Sequence, residues 1–318
     1  MKHVAITLIA LGSLMASPAF ALNILLSNDD GYTHPNIRAL YTELKAQGHN
    51  VKIAAPFTDQ SARGGSFLYG REVQIGQDKD PAYPDSYYLT TQEHGLCASD
   101  ACAGQQVDIQ ISGTPVMAVL MGLKKVLPNP DLVIIGPNPG NNLGVINNAS
   151  GTFNAATAAL LTGVPSIAVS TDFKETDNKQ VAKIVAQLVT NLDQHRQPDG
   201  ALLPKGVGLN INLPPLTTIK GLRLTKVGSY VPFSAVYTDD LGKLDAKLTG
   251  KPGIGFQYNP PATVAEQNDE GVWVAKGYVT ISPFNAIPGS PDEHKAFKAL
   301  LSIPTKTLAD NRQEVKNP

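Results

Sequence analysis

Two adjacent carboxylates, Asp29 and Asp30, stand in "NILLSNDDG" directly after a short apolar run, with an amide before them and a glycine behind. Like charges at neighbouring positions repel unless water screens them or a cation lies between them. Further oxygen donors follow along the chain: a hydroxyl at Ser61 in "TDQSARGG", and amides at Asn138 and Asn142 in "GPNPGNNLG". Carboxylate, hydroxyl and amide oxygens are ligands for a hard divalent cation, whereas soft or borderline metals favour thiolate and imidazole. A cation held this way is a Lewis acid for a phosphoryl oxygen and a means of activating water. "DDG" also describes a solvated turn or helix cap, and Ser61 an ordinary turn hydroxyl. Ser150, Gly151 and Thr152, ahead of the helical pattern "GTFNAATAALL", sit where unpaired N–H groups and the helix dipole favour an anion.

Other chemistries lack their signatures. G-x-G-x-x-G, G-x-x-x-x-G-K-[ST] and G-x-S-x-G are all absent, and His3, His34, His49, His94, His195 and His294 are scattered without zinc spacing. The formal charge of the 318 residues is −1, so no basic field suits a nucleic-acid polymer, and a small substrate is the better expectation. Lys2, the largely apolar Val4 to Met15 and Ala19-Phe20-Ala21 read as a secretory signal cleaved after Ala21. The apolar stretch is short for a membrane span. A periplasmic or secreted location follows, and in such a compartment Cys97 and Cys102 are expected to close a local disulfide.

The elements that must position these donors are legible in outline. Continuous apolar runs at 23–27, 51–56, 131–137 and 165–170 read as central strands covered on both faces. Between the first two, Ile37, Leu40, Tyr41 and Leu44 fall at helical spacing, with Pro35 at the first turn and Gly48 at the stop. Further helices are expected in "GTPVMAVLMGLKKVL" and "SGTFNAATAALLTG". The pattern predicts an α/β fold, a parallel sheet with helices on both faces. In such a sheet the loops at the carboxyl ends of the strands share one rim, where ligands bind. Beyond about residue 205 "GVGLNINLPP", "LRLTKVG", "GIGFQYN" and "VWVAKGYVTISPF" read as β structure in hairpins or arms. "SPDEHKAFKALL" reads as a short closing helix.

The ordered set "ILLSNDDG", "VKIAAPFTDQS", "DLVIIGPNPGNNLG", "SGT" and "GVPSIAVS", continuing through "LNINLP" and "GYVTISPF", resembles the SurE family of metal-dependent nucleotidases and acid phosphatases. The resemblance implies a three-layer Rossmann-like core with a mainly parallel sheet, plus a smaller C-terminal β-hairpin or arm region. It implies one divalent cation, Mg²⁺ or Mn²⁺, on Asp29, Asp30, Ser61 and Asn138, with the two aspartates catalytic, and a phosphate pocket at Asn142, Ser150, Gly151 and Thr152. It further implies removal of phosphate from nucleoside 5′- or 3′-monophosphates or related esters, and assembly as a homodimer or homotetramer. The chain departs from the family pattern at Tyr32, His34 and Asn36, at Ala62, and at Pro137 and Pro139, so its pocket wall is its own. The expected organisation is a signal at 1–21, a metal- and phosphate-binding core at 22–204, and β-rich arms with the closing helix at 205–318. The alternative is a periplasmic protein that binds phosphorylated ligands without catalysis.

Overall fold

A computed structural model describes residues 21–96 and 104–286. The signal segment, the Cys97–Cys102 pair and the closing helix lie outside the described residues. In chain order the elements are β1 (Asn23–Ser27), α1 (Pro35–Ala46), β2 (Asn50–Pro56), β3 (Val73–Gln77), β4 (Ser86–Leu96), β5 (Gln106–Ser112), α2 (Pro115–Met121) and β6 (Leu132–Pro139). They continue with α3 (Gly151–Leu161), β7 (Ser166–Thr171), α4 (Asn178–Gln194), β8 (Val207–Asn212), β9 (Gly221–Leu224), β10 (Phe233–Thr238), β11 (Gly253–Tyr258), α5 (Glu270–Ala275) and β12 (Tyr278–Asn285).

The main sheet runs β3-β4-β2-β1-β6-β7-β8-β12-β9, with β5 added on β4. Strands β4, β2, β1, β6, β7 and β8 are mutually parallel, and β12 lies antiparallel to β8. Side chains alternate across the central strands. On β1, Ile24 and Leu26 join Leu40 and Leu44 of α1 and Val185 of α4 in one apolar layer, while Leu25 joins Val119 of α2 and Ala156 of α3 in the other. The helices therefore cover both faces, which explains why these strands are continuously apolar rather than alternating. From β1 the chain passes to β2 on one side and later to β6 on the other. That reversal opens a crevice between the carboxyl ends of β1 and β6, the place where open α/β sheets bind ligands.

Helix α1 buries the residues that its spacing predicts, Ile37, Leu40, Tyr41 and Leu44, and His34 caps it by accepting from Asn36 N (3.3 Å). The helix expected through "GTPVMAVLMGLKKVL" is regular only as far as Met121, and residues Gly122–Val126 continue as a wider π turn. Two regions differ from the sequence expectation in kind. Helix α4 has no counterpart among the predicted helices, although Val181, Val185 and Val189 line its buried face. "VWVA" is helical in α5 rather than extended, with Val272 and Val274 buried. Its valines favour strand locally, and packing overrides that weak preference.

The residues after 204 divide between two settings. β8, β9 and β12 continue the main sheet, while β10 and β11 pair only with each other as an antiparallel ribbon. No helix among the described residues is long and apolar enough to cross a membrane.

Candidate functional site

Strand β1 ends in a tight turn closed by its own asparagine. Asn28, fully buried, donates from Nδ2 to Gly31 O (2.9 Å) and accepts from Gly31 N (3.2 Å). This double bond holds the two intervening aspartates at the β1–β6 crevice. Asp29 is 3 % exposed. Thr152 binds both of its oxygens, the hydroxyl donating to Oδ1 (2.7 Å) and the backbone N–H to Oδ2 (3.2 Å). Helix α3 reaches that close only because Gly151 has no side chain: a β-carbon there would stand 2.8 Å from both Cβ and Oδ2 of Asp29. Ser150 Oγ caps the helix by accepting from Phe153 N (3.0 Å).

Asp30 is different. Its Oδ2 is buried and accepts no hydrogen bond among the described residues. Burial first, then the charges of Asp29 and Asp59, push its pKa up to about 8. Burial also raises the pKa of Asp29, against the lowering effect of its bonds from Thr152. An unpaired carboxylate oxygen buried beside a second carboxylate is destabilising unless it takes up a proton or a positive charge is added.

The other expected donors converge from the neighbouring strands to different degrees. Asn138 lies at the end of β6, in register with Ser170 of β7. Its Nδ2 donates to Gly140 O (2.6 Å), so Oδ1 is the atom left to act as a ligand. Asn36 ties α1 to this loop by donating to Pro137 O (2.9 Å). The loop after β2 is pinned to the aspartate turn by Gln60 N donating to Asp29 O (2.6 Å). Ser61 follows immediately and is exposed, with its backbone N–H on Asp59 Oδ1 (2.7 Å). No hydrogen bond joins its hydroxyl to Asp29 or Asp30 among the described residues. Asn142 sits deeper: Nδ2 donates to Ser170 Oγ (2.9 Å), N–H donates to Asn212 Oδ1 (3.0 Å), and its carbonyl accepts from Asn210 and Asn212.

Among the described residues no three or more histidine, cysteine, aspartate or glutamate side chains gather into a metal-binding group. The donors are instead two carboxylates supplemented by an amide and a hydroxyl. Together with the orphaned oxygen of Asp30 they fit a hard divalent cation.

Three features of the site go beyond the sequence reading, which assigns Thr152 to the phosphate pocket but not to Asp29. Asp59 places a third carboxylate charge near Asp29, Asp30 and His34. Thr152 bonds to Asp29. Behind the asparagine loop, the fully buried Glu270 accepts from Gly144 N (3.0 Å), Asn147 Nδ2 (3.2 Å) and Asn210 Nδ2 (3.0 Å). The one local signal for that network is the i, i+2 pair Asn210 and Asn212 in β8, two amides on the same face of an otherwise apolar strand.

Comparisons with known proteins agree with this architecture. The model of the family described as "Survival protein SurE" matches residues 24–232. The chain is 34 % identical over 269 residues to the 5′-nucleotidase SurE of Desulfitobacterium hafniense, covering 83 % of this chain and 91 % of that protein. It is 34 % identical over 213 residues to an acid phosphatase of Yarrowia lipolytica, covering 60 % of this chain and 56 % of that protein. The crystal structure of the SurE protein from Aquifex aeolicus superposes with a TM-score of 0.66 at 27 % identity, over 88 % of this chain and 99 % of that one. With the aspartate turn, the asparagine loop and the α3 N-terminus gathered at one crevice, and with the family pattern extending from β1 almost to β10, this chain belongs to the SurE family.

Proposed function

We propose that this protein is an exported, divalent-cation-dependent phosphomonoesterase acting on nucleoside monophosphates or closely related esters. The observation that carries the reading is the buried, unpaired Oδ2 of Asp30 beside Asp29 at the sheet's switch point. The names of its relatives, 5′-nucleotidase and acid phosphatase, support the same reaction class. Asp29, Asp30, Asn138 and Ser61 would hold the cation, Mg²⁺ or Mn²⁺ by the hardness of the donors. When bound, it supplies charge neutralisation for a phosphoryl oxygen and lowers the pKa of a water molecule.

The chain's own residues prepare the rest. Thr152 and the close approach of Gly151 hold the Asp29 carboxylate in one orientation. Asn28 and Gly31 clamp the turn so that the two aspartates arrive together. The Gly151 N–H, the Ser150 hydroxyl and the second hydrogen of Asn142 Nδ2, whose first goes to Ser170, would donate to the phosphate oxygens, where negative charge builds as water displaces the alcohol. The overall change is ester plus water to alcohol plus phosphate.

Phosphate release from 5′-AMP and p-nitrophenyl phosphate tests the reading. Activity should vanish with EDTA and return with Mg²⁺ or Mn²⁺. A chelated protein that stays fully active rules out the cation, and one that binds nucleotide without releasing phosphate favours a ligand-binding role. Assembly as a homodimer or homotetramer is part of the same proposal. The β10–β11 ribbon supports it, exposing Tyr237 (67 %), Ile254 (67 %), Phe256 (62 %) and Tyr258 (88 %), apolar surface that a second copy would cover. Light scattering of the full chain should give two or four times the monomer mass. Export rests on the N-terminal signal pattern, and cell fractionation should recover the protein outside the cytoplasm.

A further inference from the structure

A cleft of about 480 Å³ opens between the loop after β2 and strands β4 and β5. It borders the aspartate turn through one shared loop. Gln60, whose N–H holds Asp29 O (2.6 Å), also lines the cleft, as do Phe57, Tyr88 and Thr90. Tyr32, two residues after Asp30, does not line the cleft but packs against the two aromatic rings that do. Its ring centroid lies 4.6 Å from Tyr88 and 6.0 Å from Phe57, and Phe57 lies 4.9 Å from Tyr88. Tyr32 is also one of the positions where this chain departs from the family pattern.

The wall is built rather than incidental. Tyr32 N donates to Pro56 O (3.0 Å), which fixes the turn against β2. Gly76 of β3 lets the Tyr88 ring lie flat across the strand, since a β-carbon at that position would overlap the ring. Phe57 nonetheless remains 42 % exposed, an apolar face left to solvent in the middle of a polar rim that includes Arg63 and Gln110. A small aliphatic alcohol gains little from such a surface. A planar heteroaromatic ring gains on both counts, because its face stacks on the aromatics and its edge reaches amide and guanidinium groups.

We propose that the cleft lined by Phe57 and Tyr88, with Tyr32 packed behind them, is the leaving-group subsite and takes the nucleobase, a two-ring base in preference to a one-ring base, while the phosphate lies at the aspartate turn. The preference for two rings follows from the area they cover on the paired rings of Phe57 and Tyr88. The assignment rests on the phosphomonoesterase reading for its orientation, and the base-binding surface itself can be tested apart from it.

The test compares wild type, Phe57→Ala and Phe57→Trp in two assays. In the first, kcat/KM is measured for 5′-AMP, 5′-UMP and glycerol 2-phosphate. The ratio for 5′-AMP over glycerol 2-phosphate should fall about tenfold in Phe57→Ala and stay within about twofold of wild type in Phe57→Trp, the loss expected of one aromatic contact to a base. The ratio for 5′-UMP should fall less. In the second assay, adenosine, which carries no phosphate, is titrated by calorimetry and should bind about tenfold more weakly to Phe57→Ala. Equal fractional loss on all three esters, or adenosine binding that ignores Phe57, overturns the subsite. Phe57-dependent adenosine binding by a protein that cleaves no ester would sink the phosphatase reading and leave the subsite standing.

Discussion

Two buried acidic regions flank the asparagine loop, and they are built on opposite plans. Around Glu270 the chain supplies its own partners: Oε1 accepts from Gly144, Asn147 and Asn210, and Oε2 accepts from Asn210 (3.0 Å). Burial still pushes its pKa up to about 7, because several amide dipoles only partly replace water. At the aspartate turn Asp29 is held by Thr152, but Asp30 Oδ2 has nothing, and its pKa rises to about 8. A buried carboxylate satisfied from within is scaffold. One left open at the mouth of a crevice can take a partner from outside the chain, and the function proposed above makes that partner a cation.

The sharpest way to break this contrast is at Asp30. Asp30→Asn should lower kcat/KM for 5′-AMP about a hundredfold or more, the scale of losing a metal's charge stabilisation. It should also raise the melting temperature of the metal-free protein at neutral pH, because burying Asp30 costs either an unpaired charge or the uptake of a proton, and a neutral amide needs neither. If calorimetry showed Asp30→Asn to be destabilising without metal, the two regions would not differ in the way described.

Glu270 should respond in the opposite sense. Glu270→Ala strands the Gly144 N–H and the Asn147 amide and should cost about 3 kcal/mol in urea unfolding, the magnitude of breaking a buried hydrogen-bonded charge. Glu270→Gln keeps an acceptor and should lose less. Because the folded pKa of Glu270 lies above its ordinary value, the folded state binds the proton more tightly. Its contribution is therefore fully present below about pH 4.5 and falls away as the pH rises to about 7. Unfolding curves between those limits should be flatter for Glu270→Gln than for wild type, and identical slopes would remove Glu270 as a titrating group.

The smallest expected effect lies at the hinge between the two regions. Thr152→Val removes the hydroxyl that orients Asp29 while keeping the backbone bond. Mg²⁺ binding followed by calorimetry should weaken about tenfold, the low end for a residue that positions a ligand. An unchanged affinity would mean that the peptide N–H and Gly151 suffice to hold Asp29.

Legibility in the sequence followed burial. β1, β2, β6 and β7 were readable because strands covered on both faces need unbroken apolar runs, and α1 because Ile37, Leu40, Tyr41 and Leu44 repeat with the helix. The wing formed by β3, β4 and β5 was not. β3 is largely exposed, with Val73 and Ile75 each 44 % accessible, so its pattern reflects pairing rather than core. α5 was missed because valines in a six-residue helix speak for strand until Glu270 is seen anchored in the core. In the site, the types and order of Asp29, Asp30, Ser61 and Asn138 suggested the chemistry, and the family resemblance made the set specific. The bond from Thr152 to Asp29 spans 123 positions and that from Gly144 to Glu270 spans 126, and no local pattern marks either.

Local chain chemistry thus settled which oxygens could serve a hard cation, where the central strands and first helix run, and that the fold is α/β. Those properties depend on residue type and on periods of two or 3.6 residues. Which donors share a crevice, that Asp30 Oδ2 is left without a hydrogen bond among the described residues, and that Tyr32, Phe57 and Tyr88 form one aromatic cluster came from the order of strands in the sheet. That order brings together residues far apart in the chain, and burial in the assembled core then sets their charge and their partners.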